Sequence, residues 1–150
     1  MLVTPPHFVP LHAPLPGAHE HIFVFRGGAL LVRESDLALP DEAACLVLGV
    51  PLAQSRAVGM LGQHYCRAVW VEAGAAEPAN GFGFRPLRSL FGALDADLLA
   101  VAGRAFQIAE WARTHRFCGA CGAPMEALAG NGACVARCAA MQRTHASRLR

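Results

Sequence analysis

Apolar positions fall in short runs as far as about residue 72, then switch to a three-and-four spacing from Leu94 onward. His21–Phe25 and Ala29–Val32 are β-branched, aromatic or leucine-rich runs flanking Arg26-Gly27-Gly28. That pattern predicts a hairpin, because glycine reaches the positive φ that tight turns demand. Arg56–Leu61 and Tyr65–Glu72 read as a second strand pair joined through Gly62-Gln63-His64. Alternation in the latter run sets Cys66, Ala68 and Trp70 on one face and Tyr65, Arg67, Val69 and Val71 on the other. Ala44–Val50 fits a buried strand or a short helix, and its length with the Gly49–Pro51 stop favours a strand. Pro5, Pro6, Pro10, Pro14 and Pro16 forbid a helix across residues 1–19. Leu37–Asp41 is a loop containing Pro40, and Gly74–Arg85, rich in small residues, is expected to be mobile.

The longer period predicts a helix that starts at Asp95, a good N-cap, with Asp97 adding negative charge in its first turn. Leu94, Leu98, Val101, Ala105, Ile108 and Ala112 form one apolar stripe. Arg113, His115 and Arg116 crowd the C-terminus, where the helix dipole favours cations. Phe106 and Trp111 lie off the centre of the stripe, and core packing is expected of both; a stacking platform for a base is the sharper alternative.

A chain of 150 residues, 54% hydrophobic and 16% charged, suits one domain or one domain with a small satellite. No apolar run approaches the roughly 20 residues of a membrane span, so no membrane partner is expected. The start, MLVTPPHFVP, has neither a basic nor an apolar leader segment, which points to the cytoplasm. A net charge of +2 is too small to argue for nucleic acid. All 13 basic residues are arginine, as a GC-rich coding sequence would produce. His19, His21 and His64, near acids, read as structural or solvated histidines.

The six cysteines divide into two groups. Cys45 and Cys66 sit singly in apolar runs, as buried thiols do. Cys118, Cys121, Cys134 and Cys138 cluster, and without a secretory leader such a cluster favours metal over disulfides. Cys118-Gly119-Ala120-Cys121-Gly122 is a specific signal: thiolates with two residues between them can clasp one Zn²⁺ at about 2.3 Å each. The glycines let the backbone turn its N–H groups toward sulfur. A redox dithiol, the rival reading, usually opens a helix after a strand, whereas this motif follows a helix. Cys134 and Cys138 are the candidates for a second pair, giving C-x2-C-x12-C-x3-C. Their wider gap and missing glycines make a poorer knuckle.

AFQIAEWARTHRFCGACGAPMEALAG, residues 105–130, resembles the helix and first zinc knuckle of the bacterial NADH pyrophosphatases, the zinc-ribbon branch of the Nudix hydrolases. HIFVFRGGALLV, the paired strands and RPLRSLFGALDADLLAVAGRA resemble that family's N-terminal domain, so the likeness covers about residues 20–130. It implies an α+β fold: a degenerate Nudix-like, β-rich domain over 1–93, a connecting helix over 94–116, a zinc ribbon with an atypical second half over 117–138, and a tail over 139–150. It also implies hydrolysis of NADH or NAD to the mononucleotide and AMP, in some members removal of NAD caps from RNA. A structural Zn²⁺, catalytic Mg²⁺ or Mn²⁺ and a homodimer come with the family.

The family's catalytic box, Gly-x5-Glu-x7-Arg-Glu-x-x-Glu-Glu, holds the divalent ions that polarise the pyrophosphate. It does not occur among these 150 residues, where no acid follows Glu126. A family member would continue for another domain beyond the ribbon. From Ala133 on, ACVARCAAMQRTHASRLR departs from the family. Read two nucleotides later, its degenerate codons permit V-R-C-P-L-C-G-H-A-A-Y-P-R-I-S-P, restoring C-x2-C-x14-C-x2-C and the run that follows the family's ribbon. Residues from about Asn131 are therefore expected to be out of frame. The leading expectation is the scaffold, dimerisation and ribbon portion of an NAD(H) pyrophosphatase, inactive by itself, with even NAD binding doubtful. The alternatives are a stand-alone ribbon whose basic tail (Arg137, Arg143, Arg148, Arg150) contacts nucleic acid, and a regulator that pairs with a full-length enzyme.

Overall fold

The computed structural model describes residues 3–74, 78, 81–127 and 134–136. The predicted hairpin forms from β2 (His19–Arg26) and β3 (Ala29–Arg33), with Gly27 at φ +58° in the turn. The second pair forms from β4 (Arg56–Leu61) and β5 (His64–Trp70), closed at Gly62 with φ +59°. With β1 (Phe8–Val9) and β6 (Phe82–Pro86) they make one sheet in the order β1-β4-β5-β2-β3-β6. β2 and β5 run parallel at its centre, and the outer pairs are antiparallel.

Both faces of the sheet are covered, which is why Ile22-Phe23-Val24-Phe25 is continuously apolar and fully buried. Phe23, Phe25, Leu30, Val32, Cys66 and Ala68 meet the helix α2 (Ala96–Thr114). Ile22, Val24, Leu31, Val69 and Val71 lie under Cys45 and Val50 on the other face. The predicted alternation in β5 is therefore seen, with Cys66 and Ala68 opposite Val69 and Val71. Each fully buried Val, Ile, Leu or Phe contributes about 1.5–3 kcal/mol. The exposed Arg33–Asp36 ion pair is worth about 1 kcal/mol or less. The core decides the fold.

Ala44–Val50 is a correction. Glu42–Val47 is a helix, α1, whose first turn is capped by the Asp41 carboxylate accepting from Ala44 N at 2.7 Å. Gly49, at φ +70°, ends it. Of its apolar residues only Cys45 is buried; Leu46 and Val47 face solvent, so the run was never buried on two sides as a central strand is. Gly74–Arg85 also departs from expectation: residues 75–77 and 79–80 lie outside the described residues, but Phe82–Pro86 pairs in register with β3. Phe82 and Phe84 pack on the α1 side of the core, which gives this glycine-rich strand its hold.

The helix follows the expected cap, with Asp95 accepting from Asp97 N and Leu98 N at 3.1 Å each. Its buried face is turned from the predicted stripe toward Leu99, Val101, Ala102, Ala105 and Ala109, while Leu94, Leu98 and Ile108 flank it. Alanines at the contact let the backbone lie close on the sheet. Phe106 packs as expected, edge-on to Phe25 with ring centroids 5.4 Å apart. Trp111 does not: it is 42% exposed.

At Gly59 the backbone sits at φ +151°, and a Cβ there would stand 2.5 Å from Val9 O and 2.7 Å from the Phe8 ring. Gly59→Ala is expected to cost about 2 kcal/mol or more in chemical denaturation, because β1 must move. Gly28→Ala, with nothing within 4 Å, should change stability little. Equal losses in the two variants would contradict this packing.

Candidate metal centre

α2 ends where His115 N donates to Trp111 O at 2.9 Å and the Thr114 hydroxyl donates to Glu110 O at 2.9 Å. The chain then turns into a tight hairpin. Met125 N donates to Arg116 O and Cys118 N to Ala123 O, each at 2.8 Å, and Phe117 bridges to Pro124. At the tip Gly122 N donates to Cys118 O at 2.8 Å, with Gly122 at φ +70°, a conformation that favours glycine. Cys118 and Cys121 thus share one turn at the foot of the helix, Cys118 half-buried and Cys121 exposed. β7 (Met125–Ala127) continues from this turn and pairs antiparallel with β8 (Cys134–Ala136), setting the Cys134 backbone opposite Ala127. Cys138 and the tail 139–150 lie outside the described residues, as does most of the stretch read as out of frame. The turn fits a thiolate-binding metal: two sulfur donors with two residues between them, mounted on hydrogen-bonded backbone.

Two clefts lie along the C-terminal half of α2. The larger, about 880 Å³, lies between the sheet end and the knuckle and is lined by Trp70, Glu72, Arg113, Arg116, Phe117 and Met125 among others. Among its three arginines, Arg113 and Arg116 are matched by acids. Arg113 bonds Glu110 at 2.7 Å and lies 4.9 Å from the Trp70 ring centre, and Arg116 reaches Glu72 at 3.5 Å. The hydrogen bond from Arg113 holds the Glu110 carboxyl below its usual range. The smaller cleft, about 400 Å³, adjoins the larger through Arg56 and Ala112 and opens along Arg104, Gln107 and Trp111 of the helix against the start of β4.

Residues 19–111 match the NADH pyrophosphatase-like rudimentary NUDIX domain, and residues 113–131 match the NADH pyrophosphatase zinc ribbon domain. The chain belongs to the NADH pyrophosphatase family. It is 37% identical over 124 residues to the NAD-capped RNA hydrolase NudC of Deinococcus radiodurans, covering 83% of this chain and 41% of that protein. The corresponding protein of Pseudomonas fluorescens is 37% identical over 114 residues, 71% of this chain and 41% of its own. That of Pseudomonas putida strain W619 is 58% identical over 45 residues, 30% of this chain and 16% of its own. The chain spans about two fifths of the first of these relatives. In the family's terms, β2 to β6 and most of α2 are the rudimentary NUDIX unit, and the knuckle opens the zinc ribbon. Among the described residues, no helix is long and apolar enough to cross a membrane.

The remaining candidates are structural. Cys45 and Cys66 are fully buried, and burial pushes their thiols up to about 11 and about 12, so neither is a nucleophile at neutral pH. His21 stacks on His64 with centroids 4.1 Å apart and planes 12° apart, and His19 lies 5.7 Å from His64. The parallel register of β2 with β5 creates this stack, which sequence periodicity does not reveal. Near-parallel rings do not converge their nitrogens on one ion.

Burial first, then the charge of His64, lowers His21 from 6.5 to about 4. Between those values the unfolded chain holds a proton there that the folded chain refuses, so stability falls as pH drops from 6.5 toward 4 and is level below. Thermal melts of His21→Gln should lose less stability across that window than wild type. Parallel curves for the two proteins would contradict the assignment.

Proposed function

We propose that this chain is the scaffold and zinc-ribbon portion of an NAD(H) pyrophosphatase, a hydrolase that cleaves NADH or NAD to the mononucleotide and AMP. The observation that carries the reading is the unbroken run of rudimentary NUDIX unit and zinc ribbon along residues 19–131. Relatives named NAD-capped RNA hydrolase extend the substrate class to NAD-capped RNA. Cys118 and Cys121 hold a structural Zn²⁺ on the knuckle, with Cys134 and Cys138 as the second pair. Zinc here closes the ribbon and takes no part in chemistry, as a four-thiolate site leaves no open position.

Pyrophosphate hydrolysis needs a glutamate box to hold Mg²⁺ or Mn²⁺, and these 150 residues contain none. The chain by itself is therefore catalytically silent. Its role is to present the ribbon and a dimerisation surface, in the cytoplasm, to a catalytic domain encoded in the alternative frame downstream of about Asn131 or carried by a full-length pyrophosphatase that pairs with it.

One preparation tests these points together. The purified 150-residue chain should carry one zinc ion, lost in Cys118→Ser, and should release no AMP from NADH with Mg²⁺. Retention of zinc in Cys134→Ser would remove Cys134 from the ligand set. Measurable AMP, or a wild-type chain without zinc, would overturn the reading.

A further inference from the structure

We propose that the smaller cleft binds a nucleoside phosphate, its base against Trp111 and its phosphate at Arg104. Arg104, Gln107, Ile108, Trp111 and Ala112 recur at three- and four-residue spacing and form one stripe of α2 beside the buried face. His12, Arg56 and Ala57 make the opposite wall. The volume, about 400 Å³, lies within the range of small-molecule sites.

Three observations converge on this ligand. Trp111 is 42% exposed although tryptophan is usually largely buried, and one side of its ring is already held by His115, stacked at 4.9 Å and 15°. His115 is fixed in turn, its Nδ1 lying 3.0 Å from both Trp111 O and Thr114 Oγ1. The indole is thus oriented before a ligand arrives, which reduces the entropy lost on binding. Secondly, the Arg104 guanidinium lies 5.3 Å from the Phe8 ring centre, so the cation is positioned too. The loop carrying His12 is pinned where the Tyr65 hydroxyl donates to His12 O at 3.4 Å.

Thirdly, the charge is one-sided. The larger cleft pairs Arg116 with its own Glu72 and Arg113 with Glu110 beside it, whereas no carboxylate lines the smaller one, which holds Arg104 and shares Arg56 with the larger, among the described residues. An anion fits such a wall, and a flat ring fits the tryptophan. Gln107, between them, offers an amide to a base edge. Aromatic stacking accepts every base, so the cleft reads a nucleotide's chemistry rather than its sequence. The proposal concerns binding and does not depend on the pyrophosphatase reading.

The test is tryptophan fluorescence of the full chain titrated with AMP, with single-stranded oligoadenylate and with inorganic phosphate. Saturable quenching by AMP or oligoadenylate is expected. It should vanish in Trp111→Leu, where Trp70 remains as the internal control, and binding should weaken roughly tenfold in Arg104→Gln. Tighter, steeply salt-dependent binding of oligoadenylate identifies a nucleic-acid strand as the source of the nucleotide, and equal affinity identifies the free nucleotide. No saturable quenching by either, inorganic phosphate binding as tightly as AMP, or affinity unchanged in both variants would overturn the proposal. Circular dichroism confirms that the variants, both at exposed positions, remain folded.

Discussion

The contact between the alanine side of α2 and the aromatic floor of the sheet governs everything placed around it. Ala102, Ala105 and Ala109 present little volume, so the helix lies close above Phe23 and Phe25, and Phe106 closes the flank against Phe25 and Trp70. A leucine at any of these positions would lift the helix and open a gap, since interiors are packed as densely as crystals. The 19-residue helix is about 28 Å long. It crosses the sheet and delivers its last turn beyond it.

That delivery explains the position of the metal knuckle. A two-thiolate turn on a short hairpin has almost no core of its own, and its backbone bonds, Cys118 N to Ala123 O and Gly122 N to Cys118 O, are the kind that open easily in isolation. The helix supplies the rigid mount. The same placement creates two adjoining clefts along the C-terminal half of α2. Charge then separates them: Arg113 and Arg116 answer Glu110 and Glu72 at one, and Arg104 faces a wall without carboxylates at the other.

What the sequence revealed were features decided within a few residues. Asp95 caps its own next turn, Gly27 and Gly62 close hairpins between adjacent strands, and the Cys118–Cys121 spacing is intelligible without a fold. Features decided by distant partners stayed hidden. The parallel pairing of β2 with β5, and with it the His21–His64 stack, depends on strands more than forty residues apart. β6 holds through register with β3 and through Phe82 and Phe84 in a stretch whose glycines argued against order. Ala44–Val50 reads as strand-like because apolar residues alone do not say how many sides are covered, and Glu42–Val47 is a helix. Trp111 was expected inside; the indole faces out because the alanines define the buried side, and its spacing with Arg104 and Gln107 was the signal available.

Amide hydrogen exchange, with zinc present and after chelation, tests most directly whether the helix is part of the sheet's core and merely carries the metal site. Amides of Leu99 to Ala109 should stay protected after chelation, while those of Cys118, Gly122 and Met125 should become exchangeable. Loss of protection along the whole helix on chelation, or a hairpin indifferent to zinc, would contradict the account.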